Sequence, residues 1–116
     1  MRLGNKGKYR RIGKLYKLED TTNYEPVFSE NPVVFRYQIS NGENMQKEEY
    51  KLFSNWIMQS SKTVVETNSM DSFEKGDRVN LDDGEYMIQR VIEKIDREQL
   101  NGRKKMLNKR VVLFCE

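Results

Sequence analysis

The sequence contains no histidine, a single cysteine, two prolines and one tryptophan among its 116 residues. Histidine is the commonest general base in enzymes, so its absence excludes the usual Ser-His and Cys-His nucleophile systems. The lone cysteine cannot form an internal disulfide, and without histidine or a second thiol it has no obvious partners for a zinc site. Cys115 follows four apolar residues, which predicts a small packing residue near a strand end. We therefore expect no enzymatic activity, no metal and no cofactor.

Long hydrophobic runs are also missing. No stretch approaches the roughly 18–20 apolar residues that span a bilayer, and the N-terminal MRLGNKGKYRR lacks the apolar middle of a signal peptide. This predicts an intracellular protein without membrane contact. The length predicts one domain over residues 1–116, with residues 1–7 as a flexible N-terminal arm.

Apolar residues are scarce and charged residues abundant. Hydrophobic residues make up 36% of the chain and charged residues 34%, against averages of about 45–50% and about 25%. The core must therefore be thin relative to the surface. A thin core suits a part that is completed by its neighbours in an assembly.

Charge is strongly segregated along the chain. Residues 1–18 carry seven Lys/Arg and residues 103–110 carry five, with no acidic residue in either stretch. Residues 19–102 hold nine of the 21 basic and 17 of the 18 acidic residues, a net charge of −8. Such separation favours head-to-tail contacts between oppositely charged surfaces, or an acidic partner for the two ends.

The hydrophobic pattern predicts a mainly β protein, a small barrel or sandwich of about six strands with long charged loops. Runs rich in β-branched and aromatic residues predict short strands, and Asp83-Gly84 predicts a tight hairpin turn. The strand ranges are residues 8–18, 33–39, 52–59, 62–66, 78–81, 86–95 and 109–114. Residues 20–31, 41–51 and 96–108 are predicted to be loops.

Residues 43–58 fit two patterns. Met45, Leu52, Phe53, Trp56 and Ile57 are spaced as on one face of a helix, whereas residues 50–58 also alternate as in a strand. We favour a strand for residues 52–59, with residues 43–51 as a charged loop or short helix. Trp56 is predicted to be a core residue rather than an exposed partner site.

The sequence contains one possible cation site and two basic ends that could bind nucleic acid. Asp82 and Asp83, followed by Glu85, resemble a cation site, but their position around a glycine turn favours a solvated hairpin tip. The basic ends could hold nucleic acid, with Tyr9 and Tyr16 stacking on bases. Against this, the acidic middle would repel phosphate unless it pointed away.

One segment resembles a known family. Residues 61–93, SKTVVETNSMDSFEKGDRVNLDDGEYMIQRVIE, are similar to the central segment of the head-tail joining proteins of tailed bacteriophages, also called head-closure, head-completion or stopper proteins. In that family a short strand and a polar link lead into Phe-x-x-Gly-Asp-x-Val, a turn, and Tyr-x-Ile with an apolar tail. The matching positions are Phe73, Gly76, Asp77, Val79, Gly84, Tyr86, Ile88 and Val91.

The resemblance implies a β-barrel subunit of a ring, commonly of twelve, in the virion neck, assembled in the host cytoplasm. Its partners would be the portal-adaptor complex and the tail-tube or tail-terminator proteins, with packaged DNA met only in the channel. A tail-terminator or adaptor protein of the same neck region is the related alternative, and a small nucleic-acid-binding β-barrel is the unrelated one.

Under this resemblance, one set of residues is assigned to the core and another to contacts. The core set is Phe73, Val79, Tyr86, Ile88, Val91 and Trp56, with Gly76 and Gly84 in turns. Charge and loop position predict basic contacts at Arg10, Arg11, Lys14, Arg103, Lys104 and Lys105. The predicted acidic contacts are Glu48, Glu49, Asp82 and Asp83.

Overall fold

The computed structural model describes residues 9–20, 25–43, 45–100 and 104–116, and the chain is mainly β. The predicted N-terminal arm, residues 1–7, lies outside the described residues. The elements are β1 Arg11–Tyr16, β2 Leu18–Asp20, β3 Val27–Phe28, β4 Val33–Ile39, α1 Lys47–Ile57, β5 Thr63–Thr67, β6 Arg78–Leu81, β7 Gly84–Leu100 and β8 Lys104–Cys115.

Six of these strands close into an antiparallel barrel in the order β1-β4-β5-β8-β7-β6, with β6 pairing back to β1. The predicted barrel of about six strands is confirmed, and the sandwich alternative is wrong. Side chains alternate along each strand, so every second residue fills the interior. The buried interior includes Leu15, Phe35, Tyr37, Val65, Phe73, Val79, Leu81, Ile88, Val111, Leu113 and Cys115.

Five of the six predicted core residues lie in or against this interior. Phe73, Val79 and Ile88 are buried, and the half-buried Tyr86 and Val91 pack against them. Trp56 is half-buried in a second cluster on the outside of the barrel. The core prediction is therefore confirmed, with Trp56 in a different layer from the others.

Helix α1 covers one wall of the barrel and corrects two predictions. Residues 47–57 are helical, so the predicted strand at 52–59 is wrong. The predicted loop at 41–51 is wrong for residues 47–51, where the alternative of a short helix is confirmed. The Gln46 backbone N–H donates to the Glu49 carboxylate at 3.1 Å, which satisfies one donor at the helix start. Phe53 packs on the outward apolar side chains of β5 and β8, together with Met45 and Trp56.

Strands β7 and β8 continue beyond the barrel as a two-stranded ribbon. They pair from Ile88↔Cys115 to Leu100↔Lys104, and beyond Lys94↔Arg110 no other described strand joins them. The predicted loop at 96–108 is therefore wrong for residues 96–100 and 104–108. Residues 96–108 are mostly polar and the ribbon lies outside the barrel, so the hydrophobic pattern does not reveal it.

The β6–β7 turn differs by one residue from the prediction. Leu81 pairs with Gly84, so the two loop residues are Asp82 and Asp83, and Gly84 begins the returning strand with φ 150°. Glycine adopts this backbone conformation without a side-chain clash. The turn predicted at Gly76-Asp77 is confirmed, since Gly76 has φ 98°.

A small sheet joins residues 18–20 to part of the predicted loop at 20–31. Strands β2 and β3 pair through Leu18↔Phe28 and Asp20↔Val27, so that loop prediction is partly wrong. The Lys17 backbone N–H donates to the Ser29 hydroxyl, and the Ser29 backbone N–H donates to the Lys17 carbonyl. These bonds join the sheet to the end of β1.

Cys115 is inaccessible, as its sequence context predicted. It has 0% exposure, and burial raises the pKa of its thiol to about 12. Because the thiolate is the reactive form, we expect negligible labelling by Ellman's reagent in the native protein at pH 8 and one equivalent after unfolding in urea. Equal labelling rates in the two states would contradict the burial of Cys115.

Candidate interaction surfaces

The wall of the barrel formed by β6, β1 and β4 lies opposite the one covered by α1, and its outer face carries several cations. Inward Leu15, Phe35 and Val79 alternate with outward residues on the three strands. We call this outer face the basic wall. It contains the cations Arg10, Lys14, Arg36 and Arg78 and the exposed apolar residues Ile12 and Val34.

The strand register brings these cations together. Ile12 lies opposite Arg36, Lys14 lies between Val34 and Asn80, and Tyr16 lies opposite Arg78. Arg36, Lys14 and Arg78 are therefore successive diagonal neighbours on three strands, a separation of about 7–8 Å per step. Ile12 and Val34 lie among them with 51% and 60% exposure.

Within the described part of the chain, the four cations of the basic wall have no carboxylate partner. Five described cations elsewhere in the chain are paired with carboxylates. The observed pairs are Arg11 with Asp82 at 3.0 Å, Lys17 with Asp77 at 2.6 Å, Lys62 with Glu116 at 3.8 Å, Lys94 with Glu49 at 2.7 Å and Lys109 with Glu93 at 3.5 Å. The basic wall thus carries positive charge that the same chain does not neutralise.

Arg78 is held by aromatic rings rather than by an acid. Its guanidinium carbon lies 4.6 Å from the centroid of the Tyr16 ring and 5.1 Å from that of Phe28. Its Nε is buried without a hydrogen-bond partner, as is Oδ1 of the neighbouring Asn80. Cation–π contacts orient the guanidinium but do not neutralise its charge.

A second surface, beside the basic wall, is acidic. We call the sheet β2–β3 with its flanking residues, 18–20 and 25–31, the acidic flap, because this part of the chain contains no Lys or Arg. Three of its four acids, Glu19, Glu25 and Glu30, are exposed, and no ion pair involves these three within the described residues.

The acidic flap also has an apolar side chain and a shallow depression on its surface. Val27 is 44% exposed. The depression is lined by Glu19, Val27, Phe28, Ser29, Glu30 and Asn31. The flap therefore combines unpaired carboxylates, exposed apolar surface and a concave shape.

The basic contact residues predicted from the sequence lie in different places. Arg10 and Lys14 belong to the basic wall, whereas Arg11 is paired with Asp82 at one end of the barrel. Lys104 and Lys105 lie in the ribbon opposite Leu100 and Gln99. Arg103 lies outside the described residues.

The predicted acidic contacts are also dispersed. Glu48 is exposed on α1, whereas Glu49 is half-buried, and the hydrogen bond from Lys94 holds the pKa of the Glu49 carboxyl below its usual value. Asp82 and Asp83 lie in the β6–β7 turn. Burial, followed by a side-chain hydrogen bond with Asp83, raises the pKa of Tyr86. The role of the four predicted acidic residues in contacts stays a prediction.

Sequence reasoning missed Arg36 and Arg78 of the basic wall and all the acids of the flap. The alternation in residues 33–39 could have placed Arg36 outward, because Phe35 and Tyr37 flank it and point inward. The position of Arg78 beside Tyr16 depends on the pairing of β6 with β1, which are far apart in the sequence. No local signal predicts that contact.

The Gly-Asp pair of the family-like segment has a structural role. The buried Asp77 carboxylate accepts hydrogen bonds from Lys17 Nζ at 2.6 Å, the Leu18 backbone N–H at 2.9 Å and the Glu74 backbone N–H at 3.1 Å. Burial lowers the pKa of Lys17, but hydrogen bonds to Asp77 and Glu74 outweigh it and raise the pKa overall. Asp77 thereby joins the end of β1 and the start of β2 to the turn before β6.

No protein-family model, curated protein or solved structure matches the chain. Within the described ranges, no helix is long and apolar enough to cross a bilayer. The same residues contain no group of three or more His, Cys, Asp or Glu side chains placed to hold a metal ion.

Proposed function

We propose that the protein is a structural subunit of the neck of a tailed bacteriophage, a head-closure or stopper ring subunit. In this role it joins the portal-adaptor complex to the tail and retains packaged DNA. The resemblance of residues 61–93 to head-tail joining proteins suggests the family, and the barrel is the fold that the resemblance implies.

The observation that carries the proposal is the separation of unpaired charge onto two different surfaces. The basic wall is cationic and the acidic flap is anionic, and each has exposed apolar side chains. Contacts between two unlike surfaces of identical subunits are heterologous, and such contacts produce a ring when the rotation closes. Complementary charge also selects the correct partner and register.

The ribbon supports a role in contacts between assembled parts. Seven residue pairs, Lys94↔Arg110 to Leu100↔Lys104, extend it by about 20 Å. A two-stranded hairpin by itself is only marginally stable in water. A ribbon of this length is therefore suited to contact a neighbouring subunit, the tail or the channel.

The direct test is electron microscopy of phage particles from the source organism, with this chain labelled by an antibody fragment. We expect label at a ring between head and tail, and the symmetry of the ring gives the number of subunits. Label on the capsid or tail tip, or on no particle, would contradict the neck role.

Charge reversal on the basic wall should prevent incorporation into particles. We expect Lys14→Glu combined with Arg36→Glu to abolish incorporation, because repulsion would replace attraction at a docking surface, while thermal unfolding changes little. The matched control is Lys47→Glu with Lys51→Glu, which reverses two exposed cations on α1. Arg11 is not used, because its reversal would place a carboxylate beside Asp82. Normal incorporation of the wall variant would show that the basic wall is not a docking surface in particle assembly.

The same unpaired cations favour one second candidate, a small nucleic-acid-binding barrel. Each phosphate contact would steepen the decline of affinity with salt, by a slope of about 0.7–0.9 in a log–log plot. Binding of short DNA by the purified protein, with a slope reduced by Lys14→Gln, would support this function. Negligible DNA binding at low salt would exclude it.

A further inference from the structure

We propose that copies of this chain bind head to tail, with the acidic flap of one copy covering the basic wall of the next. The inference rests on the proposed function as a ring subunit and names its subunit interface. The occupant of the basic wall is thus a second copy of the same chain.

The two surfaces are complementary in charge and in apolar content. The wall has four cations without carboxylate partners, and the flap has three such carboxylates, as judged over the described residues. Ile12 and Val34 on the wall are 51% and 60% exposed, and Val27 on the flap is 44% exposed. Docking would pair the charges and bury apolar area at the same time.

The flap of the same molecule does not neutralise its own wall. Three hydrogen bonds fix the flap at the end of β1. Two join Lys17 to Ser29, and one runs from the Leu18 backbone N–H to the Asp77 carboxylate. From that position none of Glu19, Glu25 and Glu30 forms an ion pair with a wall cation among the described residues. Neutralisation within this protein therefore requires another copy.

The shape of the flap suits a long basic side chain. Its depression is lined by both acidic residues, Glu19 and Glu30, and apolar ones, Val27 and Phe28. A Lys or Arg can lay its methylene groups on apolar surface while its charge stays at the polar edge. Lys14 and Arg36 are exposed side chains of this kind on the wall.

Nucleic acid is a less suitable occupant of the wall. The unpaired acids of the flap begin at Glu19, three residues after the end of β1, so a polyanion on the wall would lie beside uncompensated negative charge. Exposed Ile12 and Val34 offer apolar contact that phosphates do not use. A protein surface with carboxylates and an apolar side chain can pair with the cations of the wall and also cover its exposed apolar residues.

Disulfide crosslinking between variants that each carry one introduced cysteine tests the interface. We would make Ile12→Cys on the wall and Val27→Cys on the flap in separate proteins, one with a mass tag. They would be mixed at millimolar concentration and oxidised with copper phenanthroline. The native Cys115 has 0% exposure and should not react. We expect the mixed dimer to exceed each homodimer several-fold on a non-reducing gel.

The matched control replaces the wall cysteine by Met58→Cys, at a position that is 80% exposed at the end of α1. A mixed Ile12→Cys and Val27→Cys dimer no more abundant than this control would overturn the proposal. So would a predominance of Ile12→Cys homodimers, because they indicate an isologous contact between two walls. DNA binding that depends on the wall, without mixed crosslinks, would also overturn it and favour nucleic acid.

Charge reversal tests whether opposite charges on the wall and the flap hold the two copies together. Arg36→Glu on the wall protein or Glu30→Lys on the flap protein should each reduce the mixed crosslink about tenfold, because like charges would then face each other. Combining the two reversed proteins should restore most of the yield. Loss without restoration would indicate that the two surfaces do not meet.

The outcomes separate this interface from the neck function. A mixed crosslink in the purified protein, with no labelled ring in particles, would retain the interface and reject the neck role. A labelled ring in particles without the mixed crosslink would retain the neck role and reject the wall–flap contact.

Discussion

Replacing Asp77 with alanine should lower the free energy of unfolding by about 3–5 kcal/mol. The Asp77 side chain is 2% exposed and accepts bonds from an ammonium and two backbone N–H groups. Alanine would leave these N–H groups without acceptors and remove one of the two carboxylate partners of the partly buried Lys17. Since a domain of this kind is stable by only about 5–15 kcal/mol, the loss is large. Urea denaturation measured by circular dichroism would quantify it.

Asp82→Ala is the matched control for this prediction. Its carboxylate also has a cationic partner, Arg11, at 3.0 Å, but the two side chains are 49% and 50% exposed. Exposed ion pairs contribute about 0–1 kcal/mol, so we expect a small change. If Asp77→Ala were no more destabilising than Asp82→Ala, the joining role of Asp77 would be wrong.

Replacing Phe53 with alanine should cost about 3–5 kcal/mol and release α1 from the barrel. Phe53 is the buried residue of α1, at 4% exposure, and it packs with Val64, Val112 and Phe114. An 11-residue helix is marginal in water without tertiary packing. Loss of this one side chain should therefore affect the whole helix.

The lone tryptophan provides a direct measurement of helix docking. Trp56 donates its indole N–H to the Cys115 carbonyl at 3.0 Å and packs edge-on against Phe114 at 5.8 Å between ring centroids. We expect a red-shifted emission and faster amide exchange across residues 47–57 in Phe53→Ala. The control, Ile57→Ala, removes a 49%-exposed side chain of the same helix and should leave both nearly unchanged. Unchanged emission in Phe53→Ala would contradict the docking role.

Strands could be predicted where one face is buried. The ranges predicted for β4 and β6 match the structure, since inward Phe35 and Tyr37, and Val79 and Leu81, alternate with outward residues. The same reasoning failed for α1, because residues 52–58 satisfy both the strand and the helix period. The outward apolar residues Val64, Val112 and Phe114 require a cover, and a helix presenting Phe53 supplies it.

The candidate surfaces could be predicted only in part. The run of basic residues before and within β1 placed Arg10 and Lys14 among the contacts, and both are on the basic wall. Arg36 and Arg78 join them through the pairing of β1 with β4 and β6. Glu25 and Glu30 of the flap lie in residues 20–31, which were predicted to be a loop, and none of the predicted contacts fell there.

Composition and residue pattern alone determined that this chain is mainly β, that its core is thin and that its charges are segregated, because these properties depend on residue types and local periodicity. Tertiary structure decided which charges remain unpaired. Arg11, Lys17 and Lys94 meet carboxylates at Asp82, Asp77 and Glu49, which lie far from them in sequence, whereas the basic wall meets none in the described chain. Ion pairing depends on distances of a few ångströms in space, and only the closed barrel sets them.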